Sequence, residues 1–288
     1  MVLELPEVEV LRKDLEKEAV GKRIKDVTVQ TASIVRPFHR TRPEFVAALE
    51  GRKIEGARRR GTTIFLDLDE GQTWLIQLHG TASMHRETAN EKLGSETHLA
   101  VSFTIGGAVH LSDLQPEPGV RTGVVATEEA MTLAEIEPGA HDPLEDNITW
   151  MDFGRLLDDA AMPLKLLLLD ETKILGFRDV YSDEVLYEAG LRFDRDSSTL
   201  STQEVRRLYR AMHEVIMAAM KFRGTSLDDA AADGAIDEDG EASEHLKVYG
   251  RAGLPSMRSR RPIERAVLVK GRKNQREVAS FFDPQSQV

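Results

Sequence analysis

The sequence predicts an α+β protein in which a mostly β first half, opened by one helix, precedes a helical region and a short terminal module of strands. Three observations carry that reading. Short β-branched or alternating stretches (IKDVTVQ, TTIFLDLD, TWLIQL, HLAVSFTI, AVHLSDL) are divided by Gly, Asp and Asn turns, the pattern of a sandwich or barrel. From about residue 133 the texture becomes helical. An acidic stretch without apolar periodicity, SLDDAAADGAIDEDGEASE, then sets off the end of the chain as a linker would.

Taken in order, LPEVEVLRKDLEKEAVGKRI places Val8, Leu11, Leu15 and Val20 on one side of a helix that ends near Gly21. Pro6 suits its first turn, and Glu7 and Glu9 sit where the helix dipole favours negative charge. The named strands follow. MTLAEIE, WMDFGRLLDDAA, PLKLLLLDE, VYSDEVLYEAG and STQEVRRLYRAMHEVIMAAMKF read as helices, the last opened by a capping box of Ser201 and Glu204. KVYGRAGLPS and ERAVLVKGRK read as short strands around turns. The expected domains are 1–132, 133–227, a linker at 228–244, and 245–288; 288 residues leave room for roughly two domains of ordinary size.

Composition narrows the classes. A chain that is 41% hydrophobic can build packed cores, and it holds neither a run of about 18 apolar residues nor a signal-peptide pattern, so a soluble, non-membrane, cytoplasmic protein is expected. The absence of cysteine excludes disulfides, a thiol nucleophile and any thiolate zinc site. The net charge of -11 conceals a segregation: residues 21–60 hold eleven basic against four acidic side chains, and 251–280 nine against two. Residues 111–150 hold nine acidic against one basic, and 226–244 eight acidic and none basic. Two basic stretches on an acidic body suit a polyanion clamp, or else are solvated surface.

Three stretches, in order, carry a resemblance: ELPEVEVLRKDLE at the start, PLKLLLLDETKILGFRDVYSDEVLYEAGL with RGTS at 223–226 in the middle, and VYGRAGLP, GRK and DPQSQ at the end. Together they resemble the formamidopyrimidine-DNA glycosylase and endonuclease VIII family of base-excision repair proteins. The resemblance implies an N-terminal β-sandwich with a leading helix, a helix-two-turn-helix domain and a C-terminal zinc or zincless finger. It also implies double-stranded, damaged DNA as the partner, held between the two domains with a base flipped out, in a monomer associated with the nucleoid in a bacterium.

Family enzymes begin Pro-Glu-Leu-Pro-Glu, and the first proline's amine attacks the sugar to form a Schiff base. Here Leu3 stands at the nucleophile's place and Glu4 at the neighbouring glutamate's. An internal amide nitrogen is no nucleophile, because its lone pair is delocalised into the carbonyl. Glu4 keeps the carboxylate that hydrolysis of a glycosidic bond needs, or is simply a glutamate at a chain start. The α-amine of Val2, exposed by methionine removal, is a second candidate nucleophile, one residue too far back.

Arg60 belongs to RRRGTTIFLDLD, which resembles a strand whose RRGK lysine contacts phosphate; Thr62 takes the lysine's place. Thr81 stands for the void-filling methionine of LIxHLGMTG, and Gln115 or Pro116 for the wedging arginine of a DPRRFG-like loop, with Met84 and His85 nearby as substitutes. Lys165 matches a family lysine facing DNA. In GFRDVYSDE, against the family's GIGNIYADE, Asp179 replaces the phosphate-contacting asparagine, either residue being a good helix cap, Arg178 replaces a glycine and is placed to compensate, and Tyr181 is retained. Arg272 resembles the finger arginine that contacts phosphate, with Arg276 as its rival. The four zinc-ligand positions carry Ser256, Ser259, Asp283 and Ser286, a set that will not hold zinc, so neither metal nor cofactor is expected.

Overall fold

A computed structural model describes residues 3–87, 92–115, 117–222, 245–272 and 276–288. These fall into two compact units, one within Met1–Ile136 and the other formed by Glu137–Thr225 with Asp239–Val288.

The first unit opens with α1 (Leu5–Glu18), whose buried Val8, Leu11 and Leu15 recur at helical spacing. Strand β1 (Ile24–Val29) and helix α2 (Arg42–Leu49) precede β2 (Ile54–Arg60), β3 (Thr63–Leu68), β4 (Gln72–Leu78) and β5 (Ser83–Glu87). β6 (Thr97–Phe103), β7 (Ala108–Ser112), β8 (Val120–Ala126) and the short helix α3 (Ala130–Leu133) complete it. Two four-stranded antiparallel sheets, ordered β1-β6-β7-β5 and β2-β3-β4-β8, enclose a core that includes Leu3, Val8, Ile64, Trp74, Leu99, Val101 and Leu111. This is the expected sandwich behind a leading helix. Arg60 and Thr63 pair across a two-residue turn in which Gly61 takes φ +57°, the left-handed setting that such a hairpin requires of its first central residue.

The second unit contains α4 (Trp150–Ala160), α5 (Leu164–Leu169), α6 (Asp179–Ala189) and α7 (Thr202–Lys221), then the hairpin of β9 (Glu264–Val269) and β10 (Val278–Phe282). α6 is its axis, with nine of its eleven residues buried. The capping box at α7 is formed: Ser201 N–H donates to Glu204 at 2.8 Å, and the Glu204 N–H returns to Ser201 Oγ at 3.4 Å.

Several expectations need correcting. MTLAEIE forms only the single turn of α3, and KVYGRAGLPS is held by turns and isolated bridges (Ala252 to Ile263, Pro255 to Pro262) instead of strands. α2, β2, β5 and β8 have no counterpart among the expected elements. Asp179 is the first residue of α6 and not its cap, which is Arg178. Among the described residues, no helix is long and apolar enough to cross a membrane.

Candidate functional site

In the first unit the start of α1 is the chemical centre of interest. Leu3 is 5% exposed and belongs to the core, so its side chain is spent on packing. Glu4, 1% exposed, is the N-cap of α1, and its N–H donates to Glu7 Oε2 at 3.1 Å, half of a capping box. Two buried carboxylates thus stand side by side at a helix N-terminus, where the dipole favours them. One turn on, Glu9 accepts Arg59 Nε at 2.8 Å in a buried ion pair and is also held by Arg12. Burial pushes the Glu9 carboxyl up, but Arg12 and Arg59 outweigh it and leave the group below its ordinary value. Val2 lies outside the described residues.

The basic run 58–60 is therefore partly neutralised from within. Arg58 clasps Asp67 with Nε 2.9 and 3.0 Å from the two carboxylate oxygens, Arg59 is sunk against Glu9, and Arg60 is half-buried beside the turn. Thr62 lies on that turn, half-buried.

A second locus joins the turn after β4 to the loop before β8. Asp113 Oδ1 accepts Thr81 Oγ1 at 2.7 Å and Gln115 N–H at 3.0 Å, while Oδ2 accepts Gly119 N–H at 2.7 Å. Burial opposes these bonds, and the bonds prevail, holding the Asp113 carboxyl below its ordinary value. A Cβ at Gly119 would stand 2.0 Å from the His79 carbonyl oxygen, so only glycine allows the two segments to meet. Thr81 is thus engaged in holding its loop. Met84, expected as a substitute wedge, is 1% exposed within the core and unavailable; His85 is half-buried with Nε2 2.7 Å from Ser83 Oγ. Gln115 is exposed, and Pro116 lies outside the described residues.

In the second unit the start of α6 gathers most of the expected residues. Lys165, 0% exposed, donates to Asp183 Oδ1 at 2.7 Å, Ser182 Oγ at 2.7 Å and the Asp179 carbonyl at 3.0 Å. A lysine has three protons to give, so all are spent. Its geometry is that of a brace for the first turn of α6. Asp183 also accepts the Phe281 N–H at 2.8 Å and Ser280 Oγ, which ties β10 to the helix. Arg178 pairs with Glu171 at 2.9 Å, and Tyr181 is 2% exposed. The Asp179 carboxylate is bound by the guanidinium of Arg276. The residue reaching Asp179 from the finger is therefore Arg276, while Arg272 is exposed. RGTS lies outside the described residues.

The finger is closed by hydrogen bonds where a zinc ion would be expected. Asp283, 0% exposed, accepts Ser256 Oγ at 2.6 Å and Ser286 Oγ at 2.7 Å on one oxygen, and Ser259 Oγ at 2.8 Å and Gln285 N–H at 2.9 Å on the other. Burial pushes its carboxyl up, but Ser256, Ser286, Gln285 and Ser259 together hold it well below the usual range. The hydroxyls are neutral and already committed, so this set does not fit zinc, which takes thiolate, imidazole or carboxylate donors. Among the described residues, no cluster of three His, Cys, Asp or Glu could hold a metal ion. From α6, Glu184 adds a second anchor by accepting the N–H groups of Lys247, Val248 and Tyr249 at 3.0, 2.9 and 2.9 Å.

A sandwich behind a leading helix, a unit built on α6, and a four-position finger define a base-excision glycosylase architecture. The formamidopyrimidine-DNA glycosylase N-terminal domain matches residues 2–116, and the H2TH domain of the same enzymes matches 140–230. Similar curated proteins include formamidopyrimidine-DNA glycosylases of Herpetosiphon aurantiacus (31% identical over 267 residues, 92% of this chain and 94% of the relative) and of a Nocardioides species (33% over 271 residues, 92% and 90%). The chain belongs to the formamidopyrimidine-DNA glycosylase family. The fold is also that of Lactococcus lactis Fpg, solved with DNA containing an abasic site (TM-score 0.84, 22% identity, 99% of both chains) and with Fapy-dG-containing DNA (TM-score 0.83, 22%, 99% of both).

Proposed function

We propose that the protein binds damaged double-stranded DNA as a monomer and forms no Schiff base through residue 3. The observation that carries this reading is Leu3: its nitrogen is a peptide amide and its side chain is 5% exposed within the core, so the position offers no nucleophile. Membership of the family and the two basic stretches support DNA as the partner, since Lys and Arg replace counterions along a phosphate backbone.

In this reading Arg60, Arg178, Arg272 and Arg276 supply phosphate contacts, while Lys165, Asp179 and Tyr181 build the helix that presents them. Asp179 marks the place where the family's asparagine contacts phosphate. A second reading, hydrolysis of a damaged base's glycosidic bond, is favoured by Glu4, a retained carboxylate paired with Glu7 at the head of α1.

Base release from a panel of lesion duplexes, with borohydride trapping alongside, separates the two. Binding to an abasic-site duplex without trapping or base release is the expected result. Base release that Glu4→Gln abolishes would establish the hydrolytic reading, and trapping that vanishes when the N-terminus is blocked would assign the chemistry to the Val2 amine.

A further inference from the structure

Every expected cation whose partners are resolved around the start of α6 already holds a carboxylate of its own chain: Lys165 holds Asp183, Arg178 holds Glu171, and Arg276 holds Asp179. The first pair is wholly buried and fixed, whereas the Arg276 and Asp179 side chains are 56% and 31% exposed. A helix N-terminus with an arginine laid against it is an anion site, because unpaired N–H groups, the dipole and a guanidinium converge there. The anion in it is the protein's own. Asp179 is also poorly satisfied: one oxygen faces Arg276, and Oδ1 is buried without a hydrogen-bond partner. Such a contact is exchangeable, since an exposed ion pair is worth little and a buried unmatched carboxylate oxygen costs stability.

We infer that this is a self-masked phosphate site, in which Asp179 holds Arg276 in the position of a DNA phosphate and a phosphodiester must displace the carboxylate in order to bind. The inference rests on the proposed DNA binding. It has a consequence for salt dependence. A cation that moves from counterion-coated solvent to phosphate releases about 0.9 of a counterion. When Arg276 leaves Asp179, the freed carboxylate recruits a cation, so the contact contributes less than that to the salt slope.

The test is a double-mutant cycle read by fluorescence anisotropy on a labelled abasic-site duplex over a range of salt, with wild type, Asp179→Asn, Arg276→Ala and the double variant. Asp179→Asn is expected to bind about tenfold more tightly at low salt, the worth of one charge-assisted hydrogen bond, and to steepen the salt slope by up to about one. Arg276→Ala should change wild-type binding by less than about threefold, the scale of an exposed ion pair, yet abolish the gain in the double variant. Asp179→Ser, which removes the same charge with a smaller side chain, must behave as Asp179→Asn does. A gain that survives in the Arg276→Ala background would reduce Asp179 to simple repulsion and overturn the masking, as would unchanged or weaker binding by Asp179→Asn. Wild-type binding with a flat cycle would sink the masking alone, while no binding by any variant at low salt would sink the DNA reading with it.

Discussion

Replacing Asp283 by alanine should open the finger while the rest of the second unit stays folded. The substitution removes the acceptor for three serine hydroxyls at 2.6, 2.7 and 2.8 Å and for the Gln285 N–H at 2.9 Å. A hydrogen bond to a charged group is worth about 1.5–3 kcal/mol, so the two bonds that tie the 256–259 turn to Asp283, from Ser256 and Ser259, amount to about 3–6 kcal/mol. That is comparable to the whole stability of a marginal domain, about 5–15 kcal/mol. Asp283→Asn should fall between, because its amide keeps one acceptor but sets N–H donors against hydroxyls that already donate. The assay is amide hydrogen exchange read by mass spectrometry on peptides covering 254–262 and 278–288. Faster exchange in these peptides alone is expected, with wild-type exchange indifferent to a chelator. Unchanged protection in Asp283→Ala would refute the carboxylate's role, and loss of wild-type protection with chelator would put a metal in its place. The sign of the acid dependence follows from the depressed carboxyl: the stabilisation is present above the unfolded value of 3.8 and is lost as pH falls through the lower folded value.

Other outcomes follow from the same geometry. Changing Ser256, Ser259, Asp283 and Ser286 together to cysteine should create a tetrahedral thiolate site, detected by the charge-transfer and d-d absorption of bound cobalt; no metal uptake would show that the backbone has left that geometry. Lys165→Met should cost about 3–5 kcal/mol by leaving Asp183 buried and unpaired, lowering the melting temperature. If that variant instead melts like wild type and loses only DNA affinity, Lys165 is a phosphate contact and not a brace. Arg195 holds the Glu204 carboxyl down to about 2. The stability gap between wild type and Arg195→Met should therefore be full above the unfolded value of 4.5 and vanish as pH falls to about 2, as followed by denaturant unfolding at each pH.

Much of this was legible in the sequence for identifiable physical reasons. β3, β4, β6 and β7 announce themselves because both their alternation and their β-branched content agree. α7 announces itself through Ser201, Glu204 and an apolar face. β2 was hidden because IEGARRR carries four charges; its strand is explained by partners outside the segment, with Arg58 on Asp67 and Arg59 on Glu9. That Arg59 is buried is a tertiary fact, invisible until α1 brings Glu9 to it. The same holds at Lys165, whose type and motif point to phosphate, yet whose surroundings of Ser182, Asp183 and a carbonyl take all its protons. Arg276 could have been preferred over Arg272 only by knowing the hairpin register, which pairs Phe282 with Glu264 and Val278 with Val269. The loss of the zinc ligands was plain from the composition, but not that three serines would converge on one aspartate.

The central claim is that this chain recognises damaged duplex DNA although residue 3 has lost its nucleophile. Equilibrium binding of an abasic-site duplex, measured by anisotropy beside an otherwise identical undamaged duplex from low to physiological salt, tests it most directly. The account predicts tighter binding to the abasic duplex at every salt concentration, with affinity for both falling as salt rises. Equal affinity for the two duplexes, or no binding even at low salt, would contradict it.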